Sequence, residues 1–194
     1  MSRQSNYPIH PQFIERWSPR ALSGEAIEQA TLLGFLEAAR WAPSASNVQP
    51  WRFVYGLAGT PGFDAIFSSL VEFNQGWAKR ASALVAVISA KTWLPHGTSE
   101  PRPFATHSFD AGAAWASLAL QAHHAGWVSH AMGGFDAATL RSAIAVPEDF
   151  QLEAVVAIGK PGDKALLPEA LQARESPSPR KPLAEIAAEG SFSF

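Results

Sequence analysis

Residues 42–51 read Ala42-Pro43-Ser44-Ala45-Ser46-Asn47-Val48-Gln49-Pro50-Trp51, a polar loop between two apolar flanks. Upstream, Leu32, Phe35, Leu36 and Ala39 recur at the i, i+3, i+4, i+7 spacing of a buried helical face. Ser23 suits the N-cap of that helix, Glu25 sits in its first turn, and Pro43 stops it after Ala42. Downstream, Arg52–Leu57 predicts a strand. The polar side chains of Ser44, Ser46, Asn47 and Gln49 thus fall where a helix ends and a strand begins, a place where ligands are commonly held.

Further out, Phe63–Phe73 predicts a helix, and the apolar run Ala83–Ala90 is short enough for a buried strand. Lys91–Ser108 contains Pro-flanked turns and no periodicity, and its length suits a lid. Asp110 can cap a second helix reaching Ala125, with Trp115, Leu118, Ala119 and Ala122 as its apolar stripe and Gly126 at its end. Val128–Met132 reads as extended, Gly133-Gly134 breaks it, and Asp136 caps a short helix to Ala145. Leu152–Ile158 is another strand pattern, closed by the turn Gly159-Lys160-Pro161-Gly162. The first nine residues read as a loose arm, and the tail from Leu166 as helix-prone, then Ser/Pro-rich from Ser176 to Pro179. Without an internal repeat or a linker, residues 1–194 are expected to form a single domain, a helix-rich mixture around a small sheet.

Charge is scarce. Asp, Glu, Lys and Arg make up 16% of the 194 residues, 32 charges where about 48 would be usual, and seven tryptophans accompany the shortage. Either a partner buries much of the exterior, or the composition is merely alanine-rich. A net charge of -2 argues against a nucleic-acid binder. No apolar run of about 18 residues predicts a membrane span. The polar start through His10 lacks a signal-peptide core, so a cytoplasmic setting is expected. Cysteine is absent, which removes disulfides, thiolate nucleophiles and Cys-ligated metals. Any redox chemistry would need a bound cofactor.

Most catalytic signatures fail: there is no G-x-G-x-x-G, Walker loop, G-x-S-x-G elbow or H-E-x-x-H. His123 and His124, adjacent on a helix, point about 100° apart and do not suggest a metal site. Four segments remain. Arg16-Trp17-Ser18-Pro19-Arg20 offers two guanidiniums and a hydroxyl that suit a phosphate, or a solvated turn. Arg180-Lys181 offers more cationic charge near the other end. The loop 42–51 is the third. In His130-Ala131-Met132-Gly133-Gly134-Phe135-Asp136, two glycines let the backbone approach a ligand closely.

In this order these segments resemble the flavin-dependent nitroreductase family, as do Ala157-Ile158-Gly159-Lys160-Pro161-Gly162 and the Arg180-Lys181-Pro182-Leu183 run. The resemblance covers about Arg16 to Ile186, and Pro43-Ser44-x-x-Asn47-x-Gln49-Pro50-Trp51 is its most specific part. It implies an α+β fold with a central, mostly antiparallel sheet flanked by helices, in an intertwined homodimer with FMN at the interface. Arg16, Ser18 and Arg20, with Trp17 among them, would hold the FMN phosphate and ribityl chain, completed by Arg180 and Lys181. Pro43, Ser44, Ser46, Asn47 and Gln49 match the loop reaching the flavin from the partner. Asn74 matches an asparagine at the isoalloxazine edge, and Met132, Gly133 and Gly134 the turn near its N5 atom.

The implied activity is ping-pong transfer of hydride from NADH or NADPH through FMN to a nitroaromatic, quinone or activated alkene, with no side chain as nucleophile. No metal is expected. Two features depart from some members: Gly133 stands where an acidic residue can occur, and Gly76-Trp77 lacks a basic residue near the flavin. Trp77, Trp93, Phe104 and His107 could instead wall a substrate pocket. His130 suits either a proton donor or a satisfied buried histidine, the second being favoured. Alternatives are a flavin-binding storage or sensing protein without turnover, and a specialised dehalogenase or dehydrogenase.

Overall fold

The strand β2 (Ala83–Ala90) is where the fold is organised. The computed structural model describes residues 3–194; Met1 and Ser2, part of the expected N-terminal arm, lie outside them. Seven of the eight β2 residues are buried. Successive strand side chains point to opposite faces, so Leu84, Ala86 and Ile88 enter one apolar cluster while Ala83, Val85 and Val87 enter another. A strand buried on both faces must be central, and β2 pairs on either side.

The sheet order is β1 (Trp51–Leu57), β2, β6 (Phe150–Gly159), β5 (Val128–Met132), and every pairing is antiparallel. β1 and β5 are its edges. One face carries α2 (Gln29–Arg40), through Leu32, Phe35 and Ala39, and α5 (His107–His124), through Ala114, Leu118 and Ala122. The other carries α3 (Pro61–Phe67), α4 (Glu72–Ala78) and α6 (Ala137–Ala143), through Phe63, Ile66, Trp77 and Leu140. This is the expected α+β arrangement of an antiparallel sheet flanked by helices. Short elements complete it: α1 (Gln12–Glu15), the hairpin β3 (Thr92–Trp93) and β4 (Arg102–Pro103), and α7 (Glu169–Gln172). Among the described residues no helix is long and apolar enough to cross a membrane.

Three local expectations change. The first long helix starts at Gln29, not after Ser23, and Glu28 occupies its N-cap without a side-chain bond. Leu22 bridges Pro161 and the Ser23 N–H donates to Lys160 O, so the chain is drawn along the end of β6 before it can coil. The expected helix over Phe63–Phe73 is two helices, parted where Leu70 bridges Phe135 and the Val71 N–H donates to Gly134 O. Asp110 does not cap α5; it lies inside the first turn, buried. Asp136 does cap α6, accepting from the Thr139 N–H at 2.7 Å.

Candidate active site

α1 ends at Arg16, where the backbone turns extended and carries the segment 16–22 beside β5. The Arg16 guanidinium donates to Ser18 Oγ at 3.3 Å. Arg3 reaches in from the N-terminal arm, donating through Nη1 to Ile14 O and Arg16 O and through Nε to Ser178 O, all within 2.9 Å. That last bond draws in the C-terminal segment that carries Arg180. Burial, then the nearby charges of Arg180 and Arg3, hold the Arg16 pKa below its ordinary value; Arg3 is lowered by burial and by Arg180. Among the described residues no carboxylate forms an ion pair with any of the three. Like charges gathered from both chain ends without a counter-charge raise each other's energy, and an anion between them relieves it.

Arg20 lies one step further along. Its backbone N–H and that of Ala21 both donate to Glu175 Oε1, at 2.7 and 2.8 Å. Among the described residues its buried Nε has no hydrogen-bond partner, nor has Glu175 Oε2. Buried donors are almost always satisfied, so the free Nε is consistent with a polar ligand. Lys181 is exposed. Trp17 lines a cleft of about 260 Å³ together with Glu15, Arg16, His123, Trp127 and Ser129.

The strand β5 then leads to the glycine turn. His130 Nδ1–H donates to Pro19 O at 3.1 Å, and its ring packs on Trp77 with centroids 4.8 Å apart. Burial pushes the His130 pKa down, helped by Arg20 and opposed by hydrogen bonds and by Glu175. It is a half-buried histidine with one ring nitrogen hydrogen-bonded. Trp77, expected to wall a substrate pocket, is only 1% exposed and belongs to the core. Met132 is buried behind the turn. Asn74 Nδ2 donates to Gly134 O at 2.9 Å, and a Cβ on Gly134 would stand 2.7 Å from that same nitrogen. A Cβ on Gly133 would meet nothing within 4 Å. Open space lies over Gly133, and close packing behind Gly134 holds the turn in place.

The polar loop lies elsewhere. Ser46, Asn47 and Gln49 have φ of +50°, +54° and +53°. Such conformations cost of order 1–3 kcal/mol each for residues with a Cβ and persist where the surroundings impose them. Here Ala45 N–H donates to Asp110 Oδ2 at 3.1 Å, and Gln49 N–H donates to Ser44 Oγ at 2.9 Å. Pro43, Ser46, Asn47 and Gln49 are exposed and Ser44 half-buried, so the loop presents its polar atoms to solvent. On the same side, Trp93 and Phe104 pack with centroids 6.0 Å apart, and His107 Nδ1 lies 2.7 Å from Ser89 Oγ.

The expected site is therefore divided. Loop 43–49 enters β1, one sheet edge, whereas Met132–Gly134 leaves β5, the other edge. Three strand spacings, about 14 Å, separate the edges. The loop is also pinned at the first turn of α5, while α1 meets its last turn, with Glu15 Oε2 3.7 Å from His123 Nε2. Thirteen helical rises, about 20 Å, separate Asp110 from His123. Arg3 and Asp110 were both missed as site residues. No motif marks an arginine in a loose arm, and the pattern that makes Asp110 a plausible cap gives no hint of its loop contact.

Known proteins resemble this chain in fold and sequence. A solved structure of an oxidoreductase containing FMN superimposes with a TM-score of 0.95, covering 98% of this chain and 96% of that chain at 50% identity. An uncharacterized 15.4 kDa protein from the ask 5′ region of Mycolicibacterium smegmatis is 35% identical over 73% of this chain and 97% of its own length. A Streptomyces coelicolor protein named for NADH dehydrogenase/NAD(P)H nitroreductase activity is 31% identical over 77% of this chain and 81% of its own. The sequence matches the nitroreductase family over residues 14–55 and 60–160. With that match and these arginine, glycine and loop elements in order, the chain belongs to the nitroreductase family.

Proposed function

We propose that this protein is a single-domain, FMN-dependent oxidoreductase that passes hydride from NADH or NADPH to a small acceptor, a nitroaromatic, quinone or activated alkene, by a ping-pong mechanism. The observation that carries the reading is the convergence of Arg3, Arg16 and Arg180 without a carboxylate partner. The residues present suit the cofactor. Arg16, Ser18 and Arg180 would take its phosphate, the unpartnered Arg20 Nε a ribityl or phosphate oxygen, and the open face of Gly133 the flat ring. When bound, FMN supplies the hydride-accepting and hydride-donating chemistry. The chain's own part is to bind, orient and exclude water. Asn74 holds the Gly134 carbonyl in place, and His130, with its Nδ1–H committed to Pro19 O, stiffens the strand beneath.

The division of the site supports a homodimer. Loop 43–49 and the arginine cluster lie at opposite sheet edges, so a second copy would supply the loop to each cofactor. Exposed apolar side chains offer the contact surface: Phe109 is 81% exposed, Trp41 75%, and Phe192 89%. Obligate interfaces are rich in such groups, which would also account for the shortage of charge.

Two measurements test the reading. The purified protein should be yellow and dimeric by light scattering at micromolar concentration. Anaerobic NADH or NADPH should bleach the yellow absorbance of the flavin, and an added quinone should restore it, with parallel double-reciprocal plots. A colourless protein with no affinity for FMN overturns the reading; a flavin that never bleaches leaves a binding protein without turnover.

A further inference from the structure

The first turn of α5 is tied to the sheet before it touches the loop. Ser89 on β2 and Ser108 on α5 both donate to Glu153 Oε1 of β6, at 2.5 and 2.7 Å. Asp110 projects from that anchored turn. It is 3% exposed and forms no ion pair among the described residues. Its Oδ2 accepts from the Ala45 N–H at 3.1 Å and from the Thr106 hydroxyl at 3.3 Å. A carboxylate this deeply buried is costly unless donors meet it. A leucine there would leave the Ala45 N–H without this acceptor.

The segment held in this way contains the left-handed residues Ser46, Asn47 and Gln49, closed at its far end by the bond from Gln49 N–H to Ser44 Oγ. We propose that Asp110 is a positioning residue for the cofactor: by gripping Ala45 it keeps residues 44–49 in the shape that turns their polar groups outward toward the flavin of a second copy. The proposal rests on the FMN reading above. Asp110 itself touches no cofactor. It acts through the loop, as a strut from the sheet to the half of the site that carries no charge of its own.

The test compares wild type, Asp110→Asn and Asp110→Ala, each stripped of flavin and titrated with FMN by fluorescence quenching, with the visible circular dichroism of the bound flavin recorded. The carboxamide keeps one acceptor oxygen, so Asp110→Asn should bind FMN about 3- to 10-fold more weakly. Asp110→Ala should lose more than about 10-fold. Both should alter the dichroism of the ring, which an Arg16→Ala control, damaging only the phosphate end, should not. Asp110→Asn should fold even where the alanine variant does not. A merely structural aspartate would lower the apo-protein melting temperature with affinity and dichroism unchanged, and that result overturns the assignment. If wild type itself fails to bind FMN, the flavin reading falls instead, so the two failures are distinguishable.

Discussion

The two half-sites are built on opposite principles. At the β5 edge the backbone is relaxed and the electrostatics are not: Arg16 feels the like charges of Arg180 and Arg3, and among the described residues none of the three has a carboxylate ion-pair partner. At the β1 edge the loop's own side chains, residues 43–49, carry no charge and the backbone is strained, with three residues other than glycine at positive φ within four positions. One half stores its readiness as repulsion that an anion discharges. The other stores it as shape. Charge is felt at a distance and tolerates some movement, so it suits a floppy, highly charged phosphate. Shape acts only on contact, so it suits a rigid ring.

This contrast is most directly broken at Arg16. Arg16→Ala should weaken FMN binding about 10- to 100-fold, since a hydrogen bond to a charged group contributes about 1.5–3 kcal/mol, and the variant should purify depleted of flavin. The folded apo protein should lose nothing and could gain, because one like charge is gone. A fully loaded, equally tight variant would show that the cluster is not the anion site.

The glycines offer a finer cut. Gly134→Ala should push its Cβ into Asn74 Nδ2 and Val71 Cγ2, costing about 1–3 kcal/mol of stability by overpacking. Gly133→Ala has open space and should melt within about 0.5 kcal/mol of wild type, while weakening FMN by filling the face the ring would cover. Thermal melts with and without FMN separate the two. Equal behaviour of both variants would erase the distinction drawn between them.

On the strained side, Asn47→Val places a β-branched residue at a φ of +54° and should cost about 1–2 kcal/mol. For a chain of this length that is roughly a 2–8 °C fall in Tm. Asn47→Gly should be far milder. If the valine variant melts like wild type, the loop is free to relax and shape is not what it contributes.

The smallest effect concerns pH. Burial holds the His130 pKa below its ordinary 6.5, so the unfolded chain takes up a proton at higher pH than the folded one. Stability is then fully present above about pH 6.5 and lost as pH falls from there toward the folded pKa. His130→Gln should give a shallower decline in Tm between pH 7 and 5. An unchanged slope would mean that another group governs the acid limb.

Much of this was legible in advance, for identifiable reasons. The Ala83–Ala90 strand matches its expected bounds because a doubly buried strand is apolar nearly throughout, Ser89 being the exception. The helix stripe Leu32, Phe35, Ala39 is buried as its spacing requires. What could not be read were consequences of distant contacts. Ser23 has good capping chemistry, but its N–H is claimed by Lys160 O, 137 positions away. Trp77 looked like a pocket aromatic because nothing local says that His130 will cover it. The family motifs already implied that loop 43–49 serves a partner's cofactor, whereas the placement of the two groups at opposite sheet edges follows from strand order, which no single segment encodes.

That division also has a genetic meaning. In the dimer proposed above, each cofactor draws its arginines from one copy and its loop from the other. A chain defective at Arg16 and a chain defective in loop 43–49 would then complement each other: the mixed dimer confines both lesions to one site and leaves its companion wholly native. With random pairing, about one site in four should recover, although neither parent chain contains an intact site at all.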